Sequence, residues 1–505
     1  MICAFAITSR QRWLIATFIA SIILSAYKVG TGSTVNNDGL LYLHTAQVFV
    51  EQGIRAAFAQ FNWPFFPVLI GLLHKTTGLG YESAAHALNA LLLALLCVGF
   101  VTLYREMTAS DERPWLAAAI IILSPQITNY RPYIIRDIGY WALALWALLY
   151  FARYCRRPSW HTALAWQSCI LAAVAFRIEG AALAALLPLW CLRGGQGTAW
   201  SARLKTWLGA NNLFLAGAGA LLGLLISGAI PLPANSRLDQ FSGFLSPLQF
   251  AAAFSHKAEA IAQHTQAFYA PQDAKLLLLG GGLYLFIHKA VSCLGIIYAL
   301  PLGWALLNKP RALAAFSLIG YAAAITAIPL LAFTYKDLFL SGRYMGLLVF
   351  LLSLPVACAV NHFMDSRRSA RSYPYWLGAM ILAGLFLLAD IFIQTGPSKR
   401  YLREGANWLQ QTLPAGTALC SEDGDLLYYA GRGYSKDHCP ALTLLAQPEA
   451  ANYGAFLIKI HHKDKTKMDQ LQAILASHND WGILKEFGNA AGDKLFIVTH
   501  LQPAP

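Results

Sequence analysis

The chain has 505 residues, of which 57% are hydrophobic and only 12% charged, and its mean hydropathy is +0.48. That composition excludes an ordinary soluble core and points to a chain that threads a membrane several times. The formal charge of +13 falls largely on short loops between apolar runs, a topological pattern and not a nucleic-acid-binding one.

Apolar runs long enough to cross a bilayer as helices recur from residue 13 to 394. About eleven spans are expected, near 13–29, 83–104, 114–128, 138–153, 160–176, 180–192, 207–229, 290–307, 312–332, 344–362 and 374–394. Arg10 and Arg12, Arg105 and Arg113, Arg153 to Arg157, Arg193 to Lys205, Lys309 and Arg311, and Arg367 to Arg371 fall on alternate loops. The positive-inside rule puts these loops and the N-terminus in the cytoplasm and the tail outside. The first apolar segment lacks a small-residue cleavage site and reads as an uncleaved helix.

After the first span comes Asp38, followed by an amphipathic segment. Leu43, Ala46, Val50, Ile54, Ala57 and Phe61 share one face, and His44, Gln47, Glu51 and Arg55 another, as in a helix lying in the membrane interface. Later outward loops bring Arg131, Arg136 and Asp137, then Arg177 and Glu179, then a long loop over 231–289 carrying Arg237, Lys257, His288 and Lys289, then Arg343 and Tyr344. Arginines offer rigid forked donors for phosphate oxygens, and carboxylates accept a proton from a hydroxyl nucleophile. Acids and arginines gathered on one face therefore suit group transfer from a phosphate leaving group. Each also has a plainer use: Asp38 can cap a helix, the arginines can snorkel to headgroups, and Asp137 and Glu179 can be ion-pair partners.

Residues 397–505 are expected to form a small exported α/β domain. Residues 408–413 and 467–477 read as helices, 418–419, 426–429, 481–487 and 494–499 as strands, and 455–460 as an apolar run before a polar stretch. Gly431-Arg432-Gly433 reads as a turn, and His461-His462 as part of a solvated polar cluster rather than a metal site. Cys420 and Cys439 are the only cysteines of the tail. In an oxidising compartment they can close a loop worth about 3 kcal/mol, the alternative being two free thiols. The seven others lie in or beside apolar spans, and no Cys-x-x-Cys pattern supports a structural zinc site.

Asp38, Tyr42, Ala46 and Gly53 repeat an Asp-x3-Tyr-x3-Ala-x6-Gly spacing. With Trp63-Pro64 to Pro67, Asn89-Ala90, Asp137, Arg177-Ile178-Glu179-Gly180 and Gly342-Arg343-Tyr344, the ordered set resembles the GT-C glycosyltransferases, specifically protein O-mannosyltransferases and the aminoarabinose transferase of lipid A. The resemblance covers about four fifths of the chain, residues 1–396. Two departures stand out: Gly39 where many relatives carry a second acid, and His86 where an arginine is common.

The resemblance implies a polytopic α-helical membrane enzyme of the bacterial inner membrane, with external loops 30–82 and 231–289 and a periplasmic C-terminal domain. It implies a polyprenyl-phosphate sugar as donor, inversion at the sugar, and a glycan, lipid or protein acceptor. Asp38 would then be the base and Asp137 a second pocket carboxylate, with Arg131, Arg136, Arg177 and Arg343 on the lipid phosphate. Tyr42, Glu179, Lys289 and Tyr344 would line the donor and acceptor pocket, and a divalent cation is an open possibility. The rival readings are a polymerase or ligase using diphosphate-linked lipids, and a multi-pass lipid or solute transporter.

Overall fold

The computed structural model describes residues 9–32, 34–108, 113–193, 199–226, 247–264, 270–308, 311–393, 398–414, 416–434, 439–478 and 480–501. Of the expected external loop 231–289, positions 231–246 and 265–269 lie outside these residues, and so do Arg237 and Lys309.

The chain divides into two compact units. The first comprises Met1–Ala26, Asn89–Arg131 and Arg136–Phe392 and holds most of the apolar helices. Among the described residues of the whole chain, seven helices are long and apolar enough to cross a membrane: Gln11–Thr31, Tyr81–Thr108, Asp137–Arg156, Asp273–Leu294, Leu313–Asp337, Gly346–Arg367 and Tyr373–Phe392. Five expected spans instead occur, over their described residues, as broken or shorter helices, and three of these have an identifiable breaker. Pro125 divides Pro114–Ile122 from Pro125–Tyr130, and Pro188 turns the end of Gly180–Leu186 into a 3-10 turn. Gly295, at φ 80°, ends Ala270–Leu294 and starts Ile296–Asn308. Lys289, expected on an external loop, lies on the Ala270–Leu294 helix.

The second unit joins Tyr27–Leu88, Pro132–Ile135 and Ile393–Pro505. The tail is therefore not a free-standing body but one with the first loop. The expected interfacial helix runs as Asn37–Gln52 and Ile54–Gln60, broken at Gly53 with φ 87°. The Val35 amide donates to the Tyr429 hydroxyl at 3.0 Å, and Arg403 pairs with Glu82 at 3.6 Å. The Asn36 side chain holds both the amide and the carbonyl of Ile134, at 2.9 and 3.2 Å.

The tail contains a four-stranded sheet of β1 (Leu419–Ser421), β2 (Ala455–Ile460), β3 (Trp481–Gly488) and β4 (Lys494–His500), in the order β1-β2-β4-β3. β1 runs parallel to β2, and the other pairs are antiparallel. The central β2 is apolar on both faces because both are covered. Phe456, Ile458 and Ile460 face a core with Leu471 and Cys420, while Leu457 faces Leu402, Leu409 and Leu426. Residues 426–429, expected as a strand, are helical over Gly424–Tyr429. Leu426 and Ala430 both bury in the second core, and the Ala430 amide donates to the Leu426 carbonyl at 2.9 Å, a bond that coils the segment.

Candidate active site

Two glycines explain why the acids and arginines of the first unit meet. Gly139 follows Asp137 by two residues on the Asp137–Arg156 helix, and a Cβ there would collide with the Phe176 ring. The missing side chain lets Phe176 seat against that helix, so the next residue, Arg177, reaches Asp137. Gly346 does the same for Trp141, whose ring occupies the space a Cβ would need. This seats the start of the Gly346–Arg367 helix, and the preceding Tyr344, beside the same cluster.

Arg177 is the hub. Its Nη1 pairs with Asp137, and its Nε and Nη2 form a fork on Glu179, the Nε bond being 3.1 Å. The Arg177 and Asp137 side chains are only 9% and 2% exposed. Burial alone would raise the Glu179 carboxyl, but the Arg177 guanidinium, with Arg136 adding to it, holds it down at about 2. The Arg177 guanidinium carbon also stands 4.7 Å from the centre of the Tyr344 ring, and that of Arg343 stands 5.1 Å from it. Arg343 donates to the Tyr344 hydroxyl at 3.3 Å. Lys289 approaches Gly342, one residue before Arg343. A cavity of about 30 Å³ lies against Asp137, Tyr140, Trp141, Arg177, Glu179 and Tyr344, enough for one or two waters.

Arg131 is built differently. It is 1% exposed, and its Nη1 donates to the Ser21 carbonyl at 3.0 Å and to the Ser25 hydroxyl at 2.9 Å, so it ties the first helix to the Pro125–Tyr130 turn.

In the second unit the N-cap of the Asn37–Gln52 helix is Asn36. Asp38 therefore lies inside the first turn, where the helix dipole favours its charge, and is not the cap. It is half-buried. Burial and then the nearby Asp38 charge raise the Tyr434 hydroxyl, whose ring packs against His44 at 5.5 Å. Tyr42 is 5% exposed and packs on Phe61 and Phe66 at 5.6 and 5.5 Å.

No protein-family profile matches the chain, and no characterised protein matches it by sequence. Solved structures do match it in three dimensions. Apo ArnT from Cupriavidus metallidurans aligns over 97% of this chain and 98% of its own, at 12% identity and a TM-score of 0.51. The Archaeoglobus fulgidus oligosaccharyltransferase with Zn and sulfate aligns over 95% of this chain and 73% of its own, at 14% identity and 0.55. The same enzyme, AglB, with an inhibitory peptide and a dolichol-phosphate aligns over 95% and 74%, at 13% identity and 0.54. The chain shares its fold with these structures.

The departure at Gly39 has a steric reason. A Cβ there would stand 2.6 Å from Val35 and 3.0 Å from both Asn36 and Ile134, so a second acid cannot follow Asp38 without moving that loop. Cys420 and Cys439 are joined as a disulfide. Among the described residues one cluster has metal-ligand spacing, His461, His462 and Asp493. Its carboxylate is already engaged by the His462 amide and ring at 3.0 and 2.8 Å and by Asn489 at 3.0 Å, which is how a polar turn is closed. Tyr434, His44 and Trp141 were not foreseeable as site residues. Tyr434 approaches Asp38 only through the fold, and a tryptophan in an apolar run reads as core.

Proposed function

We propose that this protein is an inverting glycosyltransferase that moves a sugar from a polyprenyl-phosphate donor to an acceptor hydroxyl at the outer membrane face. The observation that carries the reading is the cluster of Arg136, Arg177 and Arg343 with Asp137, Glu179 and Tyr344 on a GT-C fold. Three guanidinium groups against two carboxylates leave one net positive charge. That suits the single negative charge of a phosphodiester-linked sugar, and Lys289 offers a further cation as a second charge develops on the leaving phosphate. AglB, similar in fold, is known with a dolichol-phosphate.

In this reading Arg177 is spent mainly on Asp137 and Glu179, so Arg343 and Arg136 carry the phosphate and Tyr344 orients Arg343. Asp38 takes the proton from the acceptor hydroxyl as its oxygen attacks the anomeric carbon and the bond to phosphate breaks, inverting that centre. Arg131 braces the first helix, Tyr42 supports the Asp38 helix, and the tail supports the first loop. The chain would span the bacterial inner membrane about eleven times, the shorter apolar helices included, with residues 397–505 in the periplasm.

The test is transfer from radiolabelled polyprenyl monophosphate sugars by purified protein, with diphosphate-linked sugars alongside. Turnover of the monophosphate donor with inverted product supports the proposal. Turnover of the diphosphate donor alone favours a polymerase or ligase, and no turnover of either with transport of lipid refutes transfer.

A further inference from the structure

A second cavity of about 580 Å³ lies in the first unit, walled by the Pro114–Ile122, Ile296–Asn308, Gly346–Arg367 and Tyr373–Phe392 helices. Its lining is almost wholly apolar. The Tyr373–Phe392 helix stands off from its neighbours: only 11% of its apolar stretch is buried, and nothing lies within 4 Å of where a Cβ on Gly378 or Gly384 would be. Close-packed helices do not leave such a gap, and in a membrane an apolar gap is filled by lipid chains.

The dimensions select the kind of chain. The lining runs from Val356 to Met364 on one helix and from Trp376 to Leu387 on another. At about 1.5 Å per residue these stretches span about 12 and 16 Å. Half of a hydrocarbon core about 30 Å thick is about 15 Å, so the groove is one leaflet deep. That fits acyl chains of a single leaflet and is too short for an extended polyprenyl tail.

One end carries the furniture of a membrane interface. Phe363 packs on Trp304 and Trp376 at 5.6 and 5.2 Å, in keeping with the belt that tryptophans form at headgroup level. The Arg367 guanidinium stands 5.7 Å over Phe363, and Arg368 and Arg371 follow, all three exposed. Among the described residues none of the three is in an ion pair with a carboxylate. Arg113, at the same end, is already held by Asn361 at 2.5 Å and Asp365 at 2.6 Å.

We infer that this groove binds one anionic phospholipid of the leaflet on the Arg367–Arg371 side, with its acyl chains along the groove and its phosphate at Arg367, Arg368 and Arg371. The site is separate from the Arg177 cluster, since Gly346 and Tyr344 stand at the opposite end of the Gly346–Arg367 helix. It does not depend on the glycosyl-transfer reading.

The test is native mass spectrometry of the full chain released from nanodiscs of phosphatidylglycerol or phosphatidylcholine. One phosphatidylglycerol should remain bound per chain, while phosphatidylcholine is stripped. Replacing Arg367, Arg368 and Arg371 together with alanine should weaken phosphatidylglycerol retention about tenfold or more. These residues are exposed, so the variant tests the site without disturbing the fold. Ala383→Trp, which fills the groove, should abolish retention with helicity unchanged. Equal retention of both lipids, retention unaffected by the arginine changes, or one-for-one displacement by polyprenyl phosphate would overturn the inference.

Discussion

Arg177 and Tyr344, far apart in sequence, meet with a guanidinium 4.7 Å over a ring, and the same guanidinium pairs with both Asp137 and Glu179. Arg177 is thus a structural hub as well as a candidate ligand. Removing it strands two carboxylates, one of them buried. Arg177→Ala should therefore cost about 3–5 kcal/mol of stability, read as lost yield and a lower Tm. Arg343→Ala should leave the fold intact and weaken polyprenyl-phosphate binding by roughly 1.5–3 kcal/mol. Equal destabilisation by the two changes would remove the distinction.

Asp38→Asn should insert and fold normally yet lose about a hundredfold to ten-thousandfold in transfer rate, the usual cost of removing a positioned base. Because Asn36 holds the N-cap position, loss of a cap is not the competing explanation. Near-normal turnover would refute the assignment.

Gly139→Val should drive a side chain into Phe176 and cost about 1–3 kcal/mol by overpacking. Transfer should fall further than stability, since the displaced neighbour is Arg177. Phe176→Ala in the same chain should recover part of the activity. No recovery would mean that the close approach does not position Arg177.

Replacing Cys420 and Cys439 with serine should cost about 2–5 kcal/mol and make residues 398–501 more sensitive to protease. Cys420 is wholly buried in the core that also holds Phe456 and Leu471, so part of the loss is packing. Because the tail shares a unit with the first loop, transfer should fall moderately rather than vanish. Unchanged protease resistance would contradict this.

Asp493 offers a pH test. Burial would raise its carboxyl, but the His462 amide, the His462 ring and Asn489 together hold it below the ordinary range. A depressed carboxylate stabilises the fold above its unfolded value of about 3.9, and the contribution is lost as pH falls through the folded value. Hydrogen exchange in β3 and β4 should therefore be faster in Asp493→Asn than in the parent at pH 7. The difference should shrink as pH drops below about 4. A pH-independent difference would be inconsistent with this.

Much of the fold was legible because the length of an apolar run is a property of sequence alone. The paired strands of the tail were legible because 481–487 and 494–499 are short runs rich in aromatic and β-branched residues that flank a turn. Residues 426–429 were misread because Leu-Leu-Tyr-Tyr has no period, and only the partners Leu402 and Leu409 decide that the segment coils. The expected span 290–307 was misplaced because Gly295 interrupts an apolar run without changing its hydropathy. At the site, the charged residues could be named from the loops they were expected to occupy. Their connections could not, since the bond between Arg177 and Asp137 depends on a missing side chain at Gly139.

The hydrogen bond from Val35 to Tyr429 spans 394 residues. At about 5–20 residues per second, roughly 20–80 s of synthesis separates the two partners. During that interval the Asp38 segment lacks the Tyr429 hydroxyl and the Tyr434 ring as partners. The first loop gains these partners only once residues 429–434 have been made. Synthesis of residues 429–434 thus sets the earliest moment at which the Asp38 loop can acquire these contacts.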